Sequence, residues 1–149
     1  MHQDQFLEQL SAQLELSILK FNSDSVCRLI FDGEFVVDLE WVSESHSLHM
    51  YSVVNSRASH IEPRYLEMLK ANLFGRGTNG SVFSIDTNRD EVLLIQTFAT
   101  LHLDITTFVR QLELFVDTAS YWKQLLSSSE IENVEAAELN HAADGLIRV

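Results

Sequence analysis

The chain has 149 residues, enough for one domain and short for two, and 46% of them are hydrophobic, which supports a packed core rather than disorder. Ten basic residues against 22 acidic ones leave a net charge of −12, a field that repels nucleic-acid phosphates and anionic lipid head groups. Neither nucleic acid nor a membrane is therefore an expected partner.

Leu7, Leu10, Leu14, Ile18 and Phe21 recur at helical spacing, with Phe6, Leu16 and Leu19 widening the stripe, so a first amphipathic helix is expected over 4–21. Asn22 to Ser25 should stop it. Val26 to Phe31 reads as a strand, and Asp32-Gly33 suits a two-residue hairpin. From Glu34 to Trp41 the residues alternate, Phe35, Val37, Leu39 and Trp41 on a dry face, Glu34, Val36, Asp38 and Glu40 on the other, wet one. Leu48 to Val54 is a third strand. Pro63 fits the first turn of a short helix whose face is Tyr65, Leu66, Leu69 and Leu73, ended by the glycines from Gly75 to Gly80.

Two further strands, Ser81 to Asp86 and Glu91 to Phe98, follow across a four-residue loop. Asp104 is placed to cap a last helix with Phe108, Leu112, Phe115, Ala119, Trp122 and Leu126 on its core side. The expected fold class is α+β: a five-stranded antiparallel twisted sheet with three helices, order α-β-β-β-α-β-β-α, helices mainly on one face. Residues 1–126 form the single domain of this reading, and 127–149 an acidic tail, mobile or partly helical. The N-terminal residues lack the basic and apolar pattern of a signal peptide, no apolar run is long enough to span a bilayer, and lone Cys27 allows no internal disulfide. A cytoplasmic location is expected.

No residue set makes a convincing catalytic or metal site. Gly75-Arg-Gly-Thr-Asn-Gly80 resembles a phosphate-binding loop, but a helix precedes it, a strand follows, and Ser81 stands where a P-loop needs lysine. His46 and His49, three apart on a strand, point to opposite faces and cannot share an ion. His60 and His102 lie near element ends without an evident partner. The carboxylates of Glu34, Asp38 and Glu40 read as a wet sheet face, and Cys27 has no neighbour that would lower its thiol pKa. No enzyme activity and no cofactor are expected. What remains is apolar surface: the first helix has eight large apolar side chains to place, more than its share of the sheet can cover, and the short second helix has its leucines. A symmetric dimer would bury part of this surface.

The stretch Leu69-x-x-Asn72-Leu73-Phe74-Gly75-x-x-Thr78-Asn79-Gly80-x-x-Phe83-Ser84-Ile85-Asp86, then Val92-x-Leu94, then Leu101-x-Leu103-Asp104-x-x-x-Phe108-x-x-x-Leu112-x-x-Phe115-Val116-x-x-Ala119-x-x-Trp122, resembles the class I type III secretion chaperones, the CesT-like (Tir chaperone) family. The likeness spans about Phe6 to Leu126; the family's proline near Leu101 is absent, and the acidic tail exceeds a minimal member. The resemblance implies a bacterial cytoplasmic homodimer without enzymatic activity. It binds the N-terminal segment of one or more secreted effectors in extended form, and meets the secretion ATPase through the complex. It also implies effector contact by Leu7, Leu10, Leu14, Leu29, Phe31, Phe35 and Val37, and a dimer interface of Tyr65, Leu66, Leu69, Leu73, Val82 and Ile85. The competing expectation is a YbjN-like regulatory adaptor of similar topology that binds folded partners; a small α+β enzyme would need a deep pocket holding two carboxylates, or a carboxylate and a histidine.

Overall fold

The computed structural model describes the backbone of residues 1–144 and the side chains of 1–128. Its elements are α1 (Gln3–Gln13), β1 (Val26–Phe31), β2 (Phe35–Val42), β3 (Ser47–Asn55), α2 (Tyr65–Asn72), β4 (Val82–Asp86), β5 (Glu91–Ala99) and α3 (Ile105–Asp144). All strand pairs are antiparallel and the sheet order is β1-β2-β3-β5-β4, so β1 and β4 are the edges. This is the expected α+β class and element order.

One sheet face is dry because strand alternation sends Leu29, Val37, Leu39, Leu48, Met50, Val92 and Leu94 to the same side, where α1 and α3 cover them. Phe6 of α1 and Phe108 of α3 meet edge to face at 5.1 Å, and Phe6 also packs 5.6 Å from Trp41, so two helices and the sheet share one aromatic centre. The α3 stripe Phe108, Leu112, Phe115, Ala119, Trp122 and Leu126 is buried throughout, as its spacing requires. The carboxylate of Asp104 accepts the Thr107 N–H at 2.8 Å and caps the helix.

Three expectations are corrected by the fold. The first helix ends at Gln13 instead of reaching Phe21, because Glu15 turns left-handed (φ 52°) and a Schellman turn forms. In that turn Leu16 N–H donates to Ser11 O and Glu15 N–H to Ala12 O, while the Ser11 hydroxyl donates to Leu7 O and accepts from Leu19 N–H. The segment after α1 is thus folded back along it. The hairpin after β1 has a three-residue loop, since Phe31 pairs with Phe35, although Asp32 and Gly33 take the two positive φ values foreseen. Asp38 is not on a wet surface: it is 9% exposed and accepts two hydrogen bonds from Arg28, Nε and Nη2 each at 2.8 Å.

Pro63 lies in a 3₁₀ segment, Ala58–Arg64, that leads into α2. The backbone of α3 continues past Leu126 to Asp144. Residues 145–149, and all side chains of the expected tail from 129 onward, lie outside the described residues.

Candidate functional site: apolar surfaces on α2 and behind α1

The inward face of α2 is Tyr65, Met68 and Asn72, at helical spacing. Met68 is buried, the Tyr65 hydroxyl donates to Ala58 O at 2.7 Å, and the Asn72 side chain accepts Phe83 N–H at 2.7 Å and donates to Phe83 O at 3.4 Å. Asn72 therefore fastens α2 to the outer edge of β4. The opposite face is Leu66, Leu69 and Leu73, which are 63%, 65% and 57% exposed. Burial of the Tyr65 phenol, with Glu62 and Asp90 nearby, pushes its pKa up, so it stays a neutral donor.

The loop after α2 is held rigidly. Gly75 backs onto Gly80 so closely that a Cβ would come within 2.7 Å of its backbone, and Gly77 lies as close to Ala71. Trp122 Nε1 donates to Gly77 O at 3.0 Å, Asn79 Nδ2 donates to Thr118 Oγ1 at 2.8 Å, and the buried Thr78 hydroxyl donates to Ser81 O. These glycines make a structural turn tied to α3, as the order of elements required.

A second apolar surface lies where the chain folds back along α1. Leu7, Leu16, Ile18, Leu19 and Phe21 line a groove of about 720 Å³, with Leu16 48% and Ile18 84% exposed. The groove ends at Asn22, whose side-chain and backbone groups bond Val26 and close the first residue of edge strand β1. Among the described residues nothing else bonds that edge, and Ile30 on β1 is 61% exposed.

The residues expected to touch an effector are divided by the fold. Leu7, Leu10, Leu29 and Val37 are buried in the core, while Leu14, Phe31 and Phe35 are partly buried against it. The surface beside them belongs instead to Leu16, Ile18 and Ile30. The residues expected at a dimer interface are also divided: Leu66, Leu69 and Leu73 share one exposed face, Tyr65 turns inward, and Val82 and Ile85 point to opposite sheet faces because they stand three apart on β4, paired with Ile95 and Val92. Sequence reasoning did not single out Phe74, Leu101 or Tyr121 as surface residues, and all are exposed by more than half.

On the sheet face away from α1 and α3, Asp38, Glu40, His49, Tyr51, Asp86 and Glu91 line an open cleft of about 580 Å³ together with Arg28 and Arg89, the combination of carboxylates and a histidine that the enzyme expectation called for, in a cleft open to solvent rather than a deep pocket. Asp38 is engaged by Arg28, whose guanidinium pKa this hydrogen bond pushes up. Burial, then the charges of Asp38 and Glu40, raise Tyr51, and burial, then Asp38, raises the Cys27 thiol, the reverse of what a nucleophile needs. His49 Nδ1 lies 2.9 Å from Thr97 Oγ1. Among the described residues there is no cluster of three potential metal ligands, and no helix long and apolar enough to cross a membrane.

With this architecture in place, comparison with known proteins identifies the class. The profile of the Tir chaperone protein (CesT) family matches residues 5–123, and the chain belongs to that family. No curated protein matches the chain. Among solved structures, a chain of the HopA1–SchA chaperone–effector complex shares 18% identity, covering 80% of this chain and 91% of that one at a TM-score of 0.70. The Yersinia pestis type III secretion chaperone SycH, solved with a stable fragment of YscM2, gives 20%, 81%, 99% and 0.66 for the same quantities. YbjN from E. coli gives 13%, 85%, 92% and 0.63. These likenesses bear out the fold: a five-stranded antiparallel open sheet with three helices, as in secretion chaperones.

Proposed function

We propose that the protein is a cytoplasmic, homodimeric chaperone that binds the N-terminal segment of a type III secreted effector in extended form and keeps it soluble and secretion-competent. The observation that carries this reading is the presence, on a member of this family, of two separate apolar surfaces on a chain with a filled core. The leucine face of α2 suits a twofold partner, which presents the same face in return. The groove behind α1 and the open edge of β1 suit an unfolded client, because an extended chain supplies main-chain groups to a strand edge and apolar side chains to pockets beside it. The contact set we propose is Leu14, Leu16, Ile18, Ile30 and Phe31, with Leu7, Leu10, Leu29, Phe35 and Val37 forming the floor or the packing beneath.

The charge of −12 keeps the subunit soluble and favours a client with basic residues. In this reading no catalysis, cofactor, nucleic acid or membrane is involved, residues 1–126 are the chaperone domain with the acidic segment from 127 appended, and the secretion ATPase is reached only through the loaded complex. The test is to mix the purified protein with an unfolded effector N-terminal segment and follow limited proteolysis. A chaperone protects a continuous stretch of the segment in proportion to added protein. The YbjN-like alternative, which the fold likeness to YbjN keeps in view, predicts no protection of an unfolded segment.

A further inference from the structure

Phe74 directly follows the leucine face of α2 and has a conformation that a bulky side chain rarely adopts. Its φ is 53° and ψ 25°, in the left-handed region, yet the residue is 85% exposed. Its ring meets the Arg76 guanidinium, 5.8 Å from the centroid. Left-handed backbone is unfavourable for an L-residue with a large side chain, and the usual occupant of such a helix-end position is glycine or asparagine. A side chain so exposed draws little compensating burial from its own subunit.

The backbone cannot relax, because the turn that begins here is held at several points. Gly75 is wedged against Gly80, Gly77 is tied to Trp122 of α3, and Asn79 is tied to Thr118. A rigid base, a strained backbone and an outward ring together describe a presented side chain. The close approach of Gly75 to Gly80 folds the turn after Phe74 back toward the start of β4, where Val82 is 47% exposed, and α2 itself packs against β4.

Two observations point to what covers this surface. Leu66, Leu69, Leu73, Phe74 and Val82 together expose on the order of 500 Å² of apolar side chain, in the upper range for a lone subunit and most of the roughly 800 Å² that each partner buries in a standard interface. The charge around them is also anomalous. From Arg57 to Arg76 four basic residues (Arg57, Arg64, Lys70, Arg76) stand against two acidic ones (Glu62, Glu67), a local +2 in a chain of −12. The excess of carboxylates that opposes approach of two copies of so acidic a chain is thus absent from this stretch.

We infer that Phe74 is the anchor of self-association: a ring pre-positioned by backbone strain, which inserts against the α2 leucine face of a second copy. This rests on the homodimer reading above and adds to it a specific residue and a reason for its conformation. A pre-set ring loses little freedom on binding, which is the property of an interface anchor.

The test uses Phe74→Gly and Phe74→Asn in the full-length protein, both suited to a left-handed backbone. Sedimentation equilibrium over a dilution series measures the dimer dissociation constant, and thermal unfolding at a concentration where the chain is monomeric measures the subunit. Both variants should raise the dissociation constant at least about tenfold while leaving the subunit's unfolding midpoint unchanged or higher. If the wild-type protein dimerises and both variants dimerise equally well, the inference fails and the homodimer reading stands. If the wild-type protein stays monomeric throughout, both fail. Unchanged dimerisation with weakened capture of an effector segment would assign the ring to the client instead, and overturns the inference.

Discussion

Asp104 shows how much one residue reveals by its position in the sequence. A carboxylate just ahead of an apolar helical stripe is a cap, and its bond to Thr107 N–H, with the side-chain hydroxyl contributing, holds its pKa below the ordinary carboxylate value. Asp90 is lowered in the same way by the Ser59 N–H and hydroxyl, each at 2.8 Å. A carboxylate with a depressed folded-state pKa stabilises the fold above its unfolded pKa, and that contribution disappears as pH falls through the folded value. Asp104→Ala should therefore lower the thermal midpoint at pH 7, Asp104→Asn should lower it less, and the difference between Asp104→Ala and wild type should shrink in thermal scans taken progressively below about pH 4. Trp122 is a second case. Its indole is legible as a core position, but its bond to Gly77 O is not, because 45 residues separate the partners. Trp122→Phe should cost about 1 kcal/mol by urea denaturation, from the lost hydrogen bond and the smaller ring at a buried position. Asp38 escapes a sequence reading for a related reason: strand alternation gives the face on which a side chain lies, and only the pairing of Arg28 with Asp38 across β1 and β2 shows that the carboxylate is covered.

At the scale of elements, the strands and the last helix are readable because their periodicities are long and agree with their turn residues. The register of β3 against β5, with its irregularity between Val53 and Asn55, has no local signature. The end of α1 is not readable either: the apolar spacing continues to Phe21 without interruption, and the helix is stopped by a turn whose left-handed residue is Glu15, a type that gives no warning. That position yields a direct test. Glu15→Gly should raise the unfolding free energy by about 0.5–1 kcal/mol, since glycine relieves the positive φ at some cost in unfolded-state entropy. The same early stop is what moves Leu16 and Ile18 out of the helix and into the groove wall, so the candidate client surface can be inferred from sequence as an excess of apolar residues but not located. Ile18→Asp should leave the thermal midpoint within about 1 °C of wild type, because this 84% exposed side chain contributes little packing, and should weaken capture of an effector segment at least about tenfold in a titration. On α2 the leucines do form one face, as their spacing indicates. The opposite face of Tyr65, Met68 and Asn72 is hidden from a sequence reading because a methionine and an asparagine make a weak apolar signal.

For the whole molecule, an acidic chain with a single cysteine carries more apolar side chain than one small sheet can cover, and the fold resolves that excess into a closed core and two open surfaces. Membership of the Tir chaperone protein (CesT) family places the chain among proteins built on this frame. The proposed function, with one self-pairing face and one client face on each subunit, predicts a definite composition: a closed twofold dimer would consume the first, and a single extended effector segment wrapped around the dimer would occupy both copies of the second. Native mass spectrometry of the full-length chain co-expressed with the N-terminal segment of its effector measures this composition directly. The expected mass is that of two chains and one segment; a species of one chain with one segment, or an unloaded single chain as the only product, would contradict the account.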